Sequence, residues 1–105
     1  MDHFTKVADL SEVPPDDALI VDLKGRKIAL FRVGSQVFAL ENVCPHRGGP
    51  IGEGIVRNGQ VTCPWHDWTF DIATGKCTIN PAAFLLKFPV KVDGNEVWLS
   101  PEPIP

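Results

Sequence analysis

Two strings constrain this chain more than anything else in it: Cys44-Pro45-His46 and Cys63-Pro64-Trp65-His66. Each pairs one thiol with one imidazole, as C-x-H in the first and C-x-x-H in the second, and both sit in stretches rich in Gly and Pro. A fold that uses all four side chains at one centre must bring two loops, separated by residues 47–62, to a common point. Two thiolates and two imidazoles delivered as matched pairs suit an inorganic centre with two unlike metal ends. The same four residues are also a structural zinc set. Zinc fingers usually group Cys with Cys and His with His, however, and a zinc site gives no reason for both boxes to be so rich in Gly and Pro. A coloured protein against a colourless one separates the two readings.

The rest of the chain bounds the setting. At 105 residues it holds one domain with a modest core. No apolar run approaches the length of a membrane span, and Met1-Asp2-His3-Phe4-Thr5-Lys6 lacks the charged-then-apolar order of a signal peptide. The expectation is a cytoplasmic protein without a membrane partner. A net charge of −3 argues against nucleic acid as a partner and suits a docking protein with a basic face. Of the three Cys, two belong to the motifs. The third, Cys77, follows Thr74-Gly75-Lys76 and reads as a small buried residue.

Hydrophobic alternation has a period of two, broken by frequent turn signals, so the expected class is all-β. Strands are expected over residues 18–23, 26–33 and 36–41, joined by Lys24-Gly25 and Gly34-Ser35. Within the second, Ile28, Leu30 and Arg32 alternate with Ala29, Phe31 and Val33. Asp9-Leu10-Ser11-Glu12 has the form of a capping box opening one helical turn, which Pro14-Pro15 stops. Asn58-Gly59 marks a hairpin between residues 54–57 and 60–62, and Ala73-Thr74-Gly75 a second one between 68–71 and 76–79. Residues 84–92 read as a strand interrupted by Pro89, and 96–100 as the last strand. The tail Pro101-Glu102-Pro103-Ile104-Pro105 is expected to fray. Framework strands at about 1–41 and 84–100 thus enclose an inserted unit at about 42–83 that carries the four candidate ligands, all within a single domain over residues 1–105.

The two boxes, Cys44-Pro-His-Arg-Gly-Gly-Pro50 and Cys63-Pro-Trp-His-Asp-Trp-Thr-Phe-Asp71 followed by Thr74-Gly75, resemble those of the Rieske-type [2Fe–2S] proteins. The resemblance implies an antiparallel β-sandwich or barrel base with a small cluster-binding subdomain inserted into it. It implies one [2Fe–2S] cluster, with Cys44 and Cys63 on one iron and His46 and His66 on the other. Arg47, Gly48, Gly49, Trp65, Trp68 and Phe70 would surround it, and Asn80-Pro81-Ala82 is similar to the loop whose proline shields it from a third side. Trp65 and Trp68 are expected to pack over the cluster. High-potential respiratory members carry an extra Cys in each box, joined as a disulfide, and a Ser and a Tyr hydroxyl beside the cluster sulfurs. The matching positions here are Gly49 and Trp65, and Trp68 and Phe70.

Such a centre moves one electron, and no Gly-rich nucleotide loop or second metal constellation accompanies it. The resemblance therefore implies an electron-transfer protein, not a catalyst: a Rieske-type ferredoxin passing electrons from a flavin- or NAD(P)H-dependent reductase to a terminal oxygenase or reductase subunit. The alternative is a non-catalytic small subunit of an NAD(P)H-dependent nitrite reductase.

Overall fold

The computed structural model describes residues 4–15, 17–45, 48–65, 67–80 and 82–104. The described residues form ten strands, and the helical residues among them are two single 3-10 turns. No helix among the described residues is long and apolar enough to cross a membrane.

Four strands form one antiparallel sheet in the order β2-β3-β4-β8: β2 (Ala18–Leu23), β3 (Arg26–Val33), β4 (Gln36–Glu41) and β8 (Lys87–Phe88). Turn chemistry sets its register. Lys24 and Gly25 both take positive φ, 52° and 81°, so Leu23 pairs with Arg26 across a two-residue loop whose twist matches the strands. The turn is tied down by the Gly25 N–H, which donates to Asp22 Oδ1 at 3.1 Å. A second sheet runs β1-β10-β9, from β1 (Thr5–Asp9), β10 (Glu96–Leu99) and β9 (Val90–Asp93). Strand β1 is too polar at Thr5, Lys6 and Asp9 to show in the sequence pattern, and its register slips between Lys6 and Ala8. The helical turn at Leu10–Glu12 forms as the capping box implies, with the Asp9 N–H donating to Glu12 Oε1 at 2.8 Å.

Pro89 has a structural job. The run 84–92 is not one strand: β8 pairs with β4, and β9, just past Pro89, pairs with β10 in the other sheet. A residue without an amide donor thus stands where the chain leaves one ladder for another. The tail departs from expectation as well. Ile104 forms an antiparallel bridge with Lys87, its N–H donating to the Lys87 carbonyl at 2.7 Å. Strand β8 is otherwise an open edge, and the proline-rich tail caps it instead of fraying.

A third sheet is small: β5 (Ile55–Arg57), β6 (Gln60–Thr62) and β7 (Thr69–Asp71), in that order. Asn58 and Gly59, at φ 53° and 76°, turn β5 into β6. The second expected hairpin forms in short measure: around an antiparallel bridge between Phe70 and Cys77, the Asp71 N–H donates to the Lys76 carbonyl and the Thr78 N–H to the Thr69 carbonyl, both at 2.8 Å.

The four-stranded sheet separates two interiors. On one side Ile28, Leu30, Ala39 and Phe88 pack with Ala8, Val97 and Leu99 of the three-stranded sheet. On the other, Ala29, Phe31 and Leu40 pack with Cys44, Ile51, Val61, Cys63, Phe70, Ile72, Cys77 and Leu85. All four residues from Ile28 to Phe31 are fully buried, because alternate side chains enter opposite cores.

Candidate metal centre

The two Cys-containing loops are built to one plan. The first is closed by an antiparallel bridge between Val43 and Pro50. Within it the Cys44 N–H donates to the Gly49 carbonyl at 2.9 Å, and the Gly48 N–H to the Cys44 carbonyl at 2.7 Å. The second is closed by the Thr62–Thr69 pair of β6 and β7, whose hydroxyls lie 3.0 Å apart. There the Cys63 N–H donates to the Trp68 carbonyl at 2.7 Å. In each loop the Cys amide thus reaches the carbonyl five residues on, and the fourth residue after the Cys is left-handed: Gly48 at φ 75°, Asp67 at φ 56°. Glycine adopts that region without penalty, and Asp is among the side chains that tolerate it.

This construction turns both thiols inward. Cys44 and Cys63 are buried in the same core, near enough for one thiol to influence the ionisation of the other. Burial pushes the Cys63 thiol above its ordinary range, and the adjacent Cys44 thiol and the Asp67 carboxylate push it the same way; a backbone hydrogen bond at Trp65 works against them. A buried thiol such as Cys63 that resists ionisation becomes a thiolate when a cation joins it and displaces the proton.

Gly49 makes the approach of the two loops feasible. A Cβ there would stand 2.8 Å from Cys63 Sγ and 3.1 Å from the Trp65 Cβ, so only hydrogen fits between the loops. This is the cradle a metal centre needs: bare backbone against sulfur, with no side chain filling the space. Positions 49 and 65 stand face to face, as the residues that match the respiratory disulfide should.

The remaining expected neighbours divide. Phe70 is fully buried in the core that holds Cys44, Cys63 and Cys77, and Trp68 packs against that core. Half of the Trp65 surface meets solvent, and its Cβ and Cγ lie against Gly49. Beside Asn80, the Ala82 N–H donates to Asn80 Oδ1 and the Ala83 N–H to the Asn80 carbonyl, both at 3.0 Å, which fixes the third loop as an Asx-type turn. Cys77 is a small buried residue, as its sequence context implies. His46, Arg47, His66 and Pro81 lie outside the described residues.

The 3-10 turn at Ile51–Glu53 is a positioning element that residue reasoning missed. Ile51 is fully buried beside both Cys, and a Cβ on Gly54 would collide with the carbonyl of Thr62, the residue before Cys63. Turn residues 51–54 therefore wedge between the two loops. The available signal was the pair Gly52 and Gly54 around an acidic residue, which reads equally well as an ordinary turn.

Known proteins share both the fold and the loops. A family model described as "Rieske [2Fe-2S] domain" matches residues 3–89. The ferredoxin component of a naphthalene 1,2-dioxygenase system from Pseudomonas aeruginosa is 32% identical over 91 residues, which is 86% of this chain and 88% of that protein. Among solved structures, the complex of reduced oxygenase and oxidised ferredoxin in carbazole 1,9a-dioxygenase contains a chain that is 29% identical. The match covers 100% of this chain and 99% of that one, with a TM-score of 0.90. A protein described as the small subunit of an NADPH nitrite reductase matches at 27% identity over 91% of this chain and 96% of its own, with a TM-score of 0.82. Paired buried thiols in twin loops, a Gly cradle between them, and a family model spanning most of the sequence converge on one conclusion: this chain belongs to the Rieske [2Fe–2S] family, and its cofactor is a single cluster of that type.

Proposed function

We propose that Cys44, His46, Cys63 and His66 hold the cluster, and that the protein is an electron carrier: a Rieske-type ferredoxin that takes one electron from a flavin- or NAD(P)H-dependent reductase and delivers it to a terminal oxygenase. The cluster supplies a one-electron couple whose two imidazole ligands raise its potential above that of an all-thiolate centre. The chain's own residues do the rest. The twin loops fix the two Cys side chains, burial in the core of Phe31, Ile51 and Phe70 excludes water from their sulfurs, and Gly49 keeps the loops at contact distance. Arg47, Gly48, Trp65, Trp68, Phe70 and Pro81 surround the site in this reading. The chain acts as a carrier with no reaction of its own, in the cytoplasm, without nucleic acid or membrane as partner.

One observation carries the choice of carrier. The match to the ferredoxin captured with an oxygenase runs the full length of both chains, so the likeness includes the base as well as the loops. The nitrite reductase small-subunit reading has the match to that subunit in its favour, at lower identity and lower TM-score. Two measurements test the proposal. The EPR spectrum of dithionite-reduced protein is expected to show nitrogen ligation of a [2Fe–2S] centre. Gel filtration of the loaded protein with an oxygenase is expected to show a dissociable complex, the reduced carrier giving up one electron per cluster. A stable co-eluting assembly with a nitrite reductase large subunit would instead make it a fixed subunit.

A further inference from the structure

Asn42 is buried at the point where β4 ends and the first ligand loop begins, and only one other polar residue, Ser100, is as buried among the described residues. Three of its atoms are engaged. Its N–H donates to the Lys27 carbonyl of β3 at 3.1 Å, and its carbonyl accepts the Ile51 N–H at 3.3 Å. Its side-chain Oδ1 accepts the Gly52 N–H at 2.5 Å. The loop holding Cys44 runs from 43 to 50, so Asn42 ties both of its ends together and fastens them to the base sheet. Gly52 is matched to this contact: a Cβ there would meet Asn42 Oδ1 at 2.9 Å and Ile20 Cγ1 at 2.5 Å. Through Gly54, which abuts the Thr62 carbonyl, the same 3-10 turn leans on the second loop.

We infer that Asn42 is a positioning residue for the centre: its side chain latches the Ile51–Glu53 turn, and the latched turn holds the two Cys loops at the separation at which both grip one cluster. The physical argument is that a buried amide oxygen paired with a buried N–H is costly to break, because either group left alone pays its full desolvation penalty. The ladders of the base do not reach this far. Among the described residues, the first loop between Val43 and Pro50 has only its own turn bonds, and the Asn42 latch is a side-chain link between the loop mouth and the wedge. The inference rests on Cys44 being a ligand, as proposed above.

The test compares the cluster-loaded wild type with Asn42→Leu, which has similar volume and no acceptor, and Asn42→Asp, which keeps an acceptor oxygen in place. Hydrogen exchange over residues 51–54 is expected to speed up at least tenfold in Asn42→Leu and to return to within about threefold of wild type in Asn42→Asp. Loss of visible absorbance in excess chelator is expected to follow the same order, at least fivefold faster in Asn42→Leu, and its EPR g-values are expected to move. The far-UV circular dichroism should stay that of a folded β-protein. The inference is overturned if exchange over 51–54 in Asn42→Leu equals wild type. It is equally overturned if cluster lifetime and g-values are unchanged, or if cluster loss merely tracks global unfolding and Asn42→Asp fails to rescue it. Failure of the cluster reading itself would show in the wild type alone, as absence of iron and labile sulfide, and the exchange data would still decide the latch.

Discussion

The two faces of the four-stranded sheet pack against interiors of different construction. Toward β1 and β10, the core consists of hydrocarbon side chains alone, closed by strands of four and five residues paired into a three-stranded sheet. Toward the two Cys loops, the core contains three thiols and is closed by three-residue strands, single bridges and loop hydrogen bonds. The first interior gains its stability from apolar burial and regular pairing. The second has fewer ladder bonds, depends on Gly positions where a Cβ has no room, and contains the Cys63 thiol, whose burial disfavours its ionised state until a metal joins it. One chain thus joins a unit that folds on its own chemistry to a unit completed by its cofactor.

Substitutions on either side sharpen that contrast. The largest effect is expected from Cys63→Ser, which should abolish cluster loading, read as loss of iron and visible absorbance, while the circular dichroism of the base strands persists. If the whole chain unfolds instead, the two interiors are not separable in this way. Next is Phe31→Ala, which empties a fully buried site on the cluster face; it should cost about 3–5 kcal/mol in denaturant unfolding and shorten cluster lifetime. Leu30→Ala, its neighbour on the base face, should cost about 2–5 kcal/mol with a smaller effect on cluster lifetime. Equal effects of the two on cluster lifetime would erase the distinction between the faces.

With Trp68 and Phe70 where respiratory members place hydroxyl donors, the midpoint is expected near the low end of the Rieske range, at roughly −150 mV instead of +300 mV. Phe70→Tyr restores one donor. A hydrogen bond to a charged acceptor, about 1.5–3 kcal/mol, corresponds to a rise of about 65–130 mV for a one-electron couple. A redox titration that finds no rise shows that a hydroxyl at this buried position does not reach the sulfurs.

The smallest effect belongs to Glu41, at the end of β4. Burial raises its carboxyl pKa, and a backbone hydrogen bond at Leu86 and the charge of Arg26 oppose the shift only in part. A folded-state pKa above the unfolded value means that folding favours the protonated acid. The contribution is therefore full in acid, below the unfolded pKa, and is lost as pH rises through the folded pKa. Glu41→Gln should raise the melting temperature slightly at neutral pH, and the difference should vanish in acid. A variant less stable at neutral pH would reverse the sign.

Much of this organisation is legible in the sequence because local rules suffice for it. Lys24-Gly25 and Asn58-Gly59 announce their turns, Ile28 to Val33 alternate, and the Cys-containing boxes carry the site. What was not legible depends on distant partners. Strand β1 is recognisable only through its pairing with β10. The tail holds its place only because β8 leaves an edge open to Ile104. Pro89 reads as an interruption, yet its role is to transfer the chain between sheets. Gly49 is legible as a turn former, but its other role, admitting Cys63 and Trp65, depends on a loop fourteen residues away. Asn42 looks like any polar residue at a strand end until the Gly52 amide is found against it.

Because Ala29, Phe31 and Leu40 pack beneath the two Cys loops from strands that also hold up the base, the segment carrying those loops is not a portable module. A graft of residues 42–83 onto another scaffold would arrive without its floor. Any transplant that keeps the chemistry must bring β3 and β4 along, or recreate three apolar side chains at the same pitch on the recipient sheet.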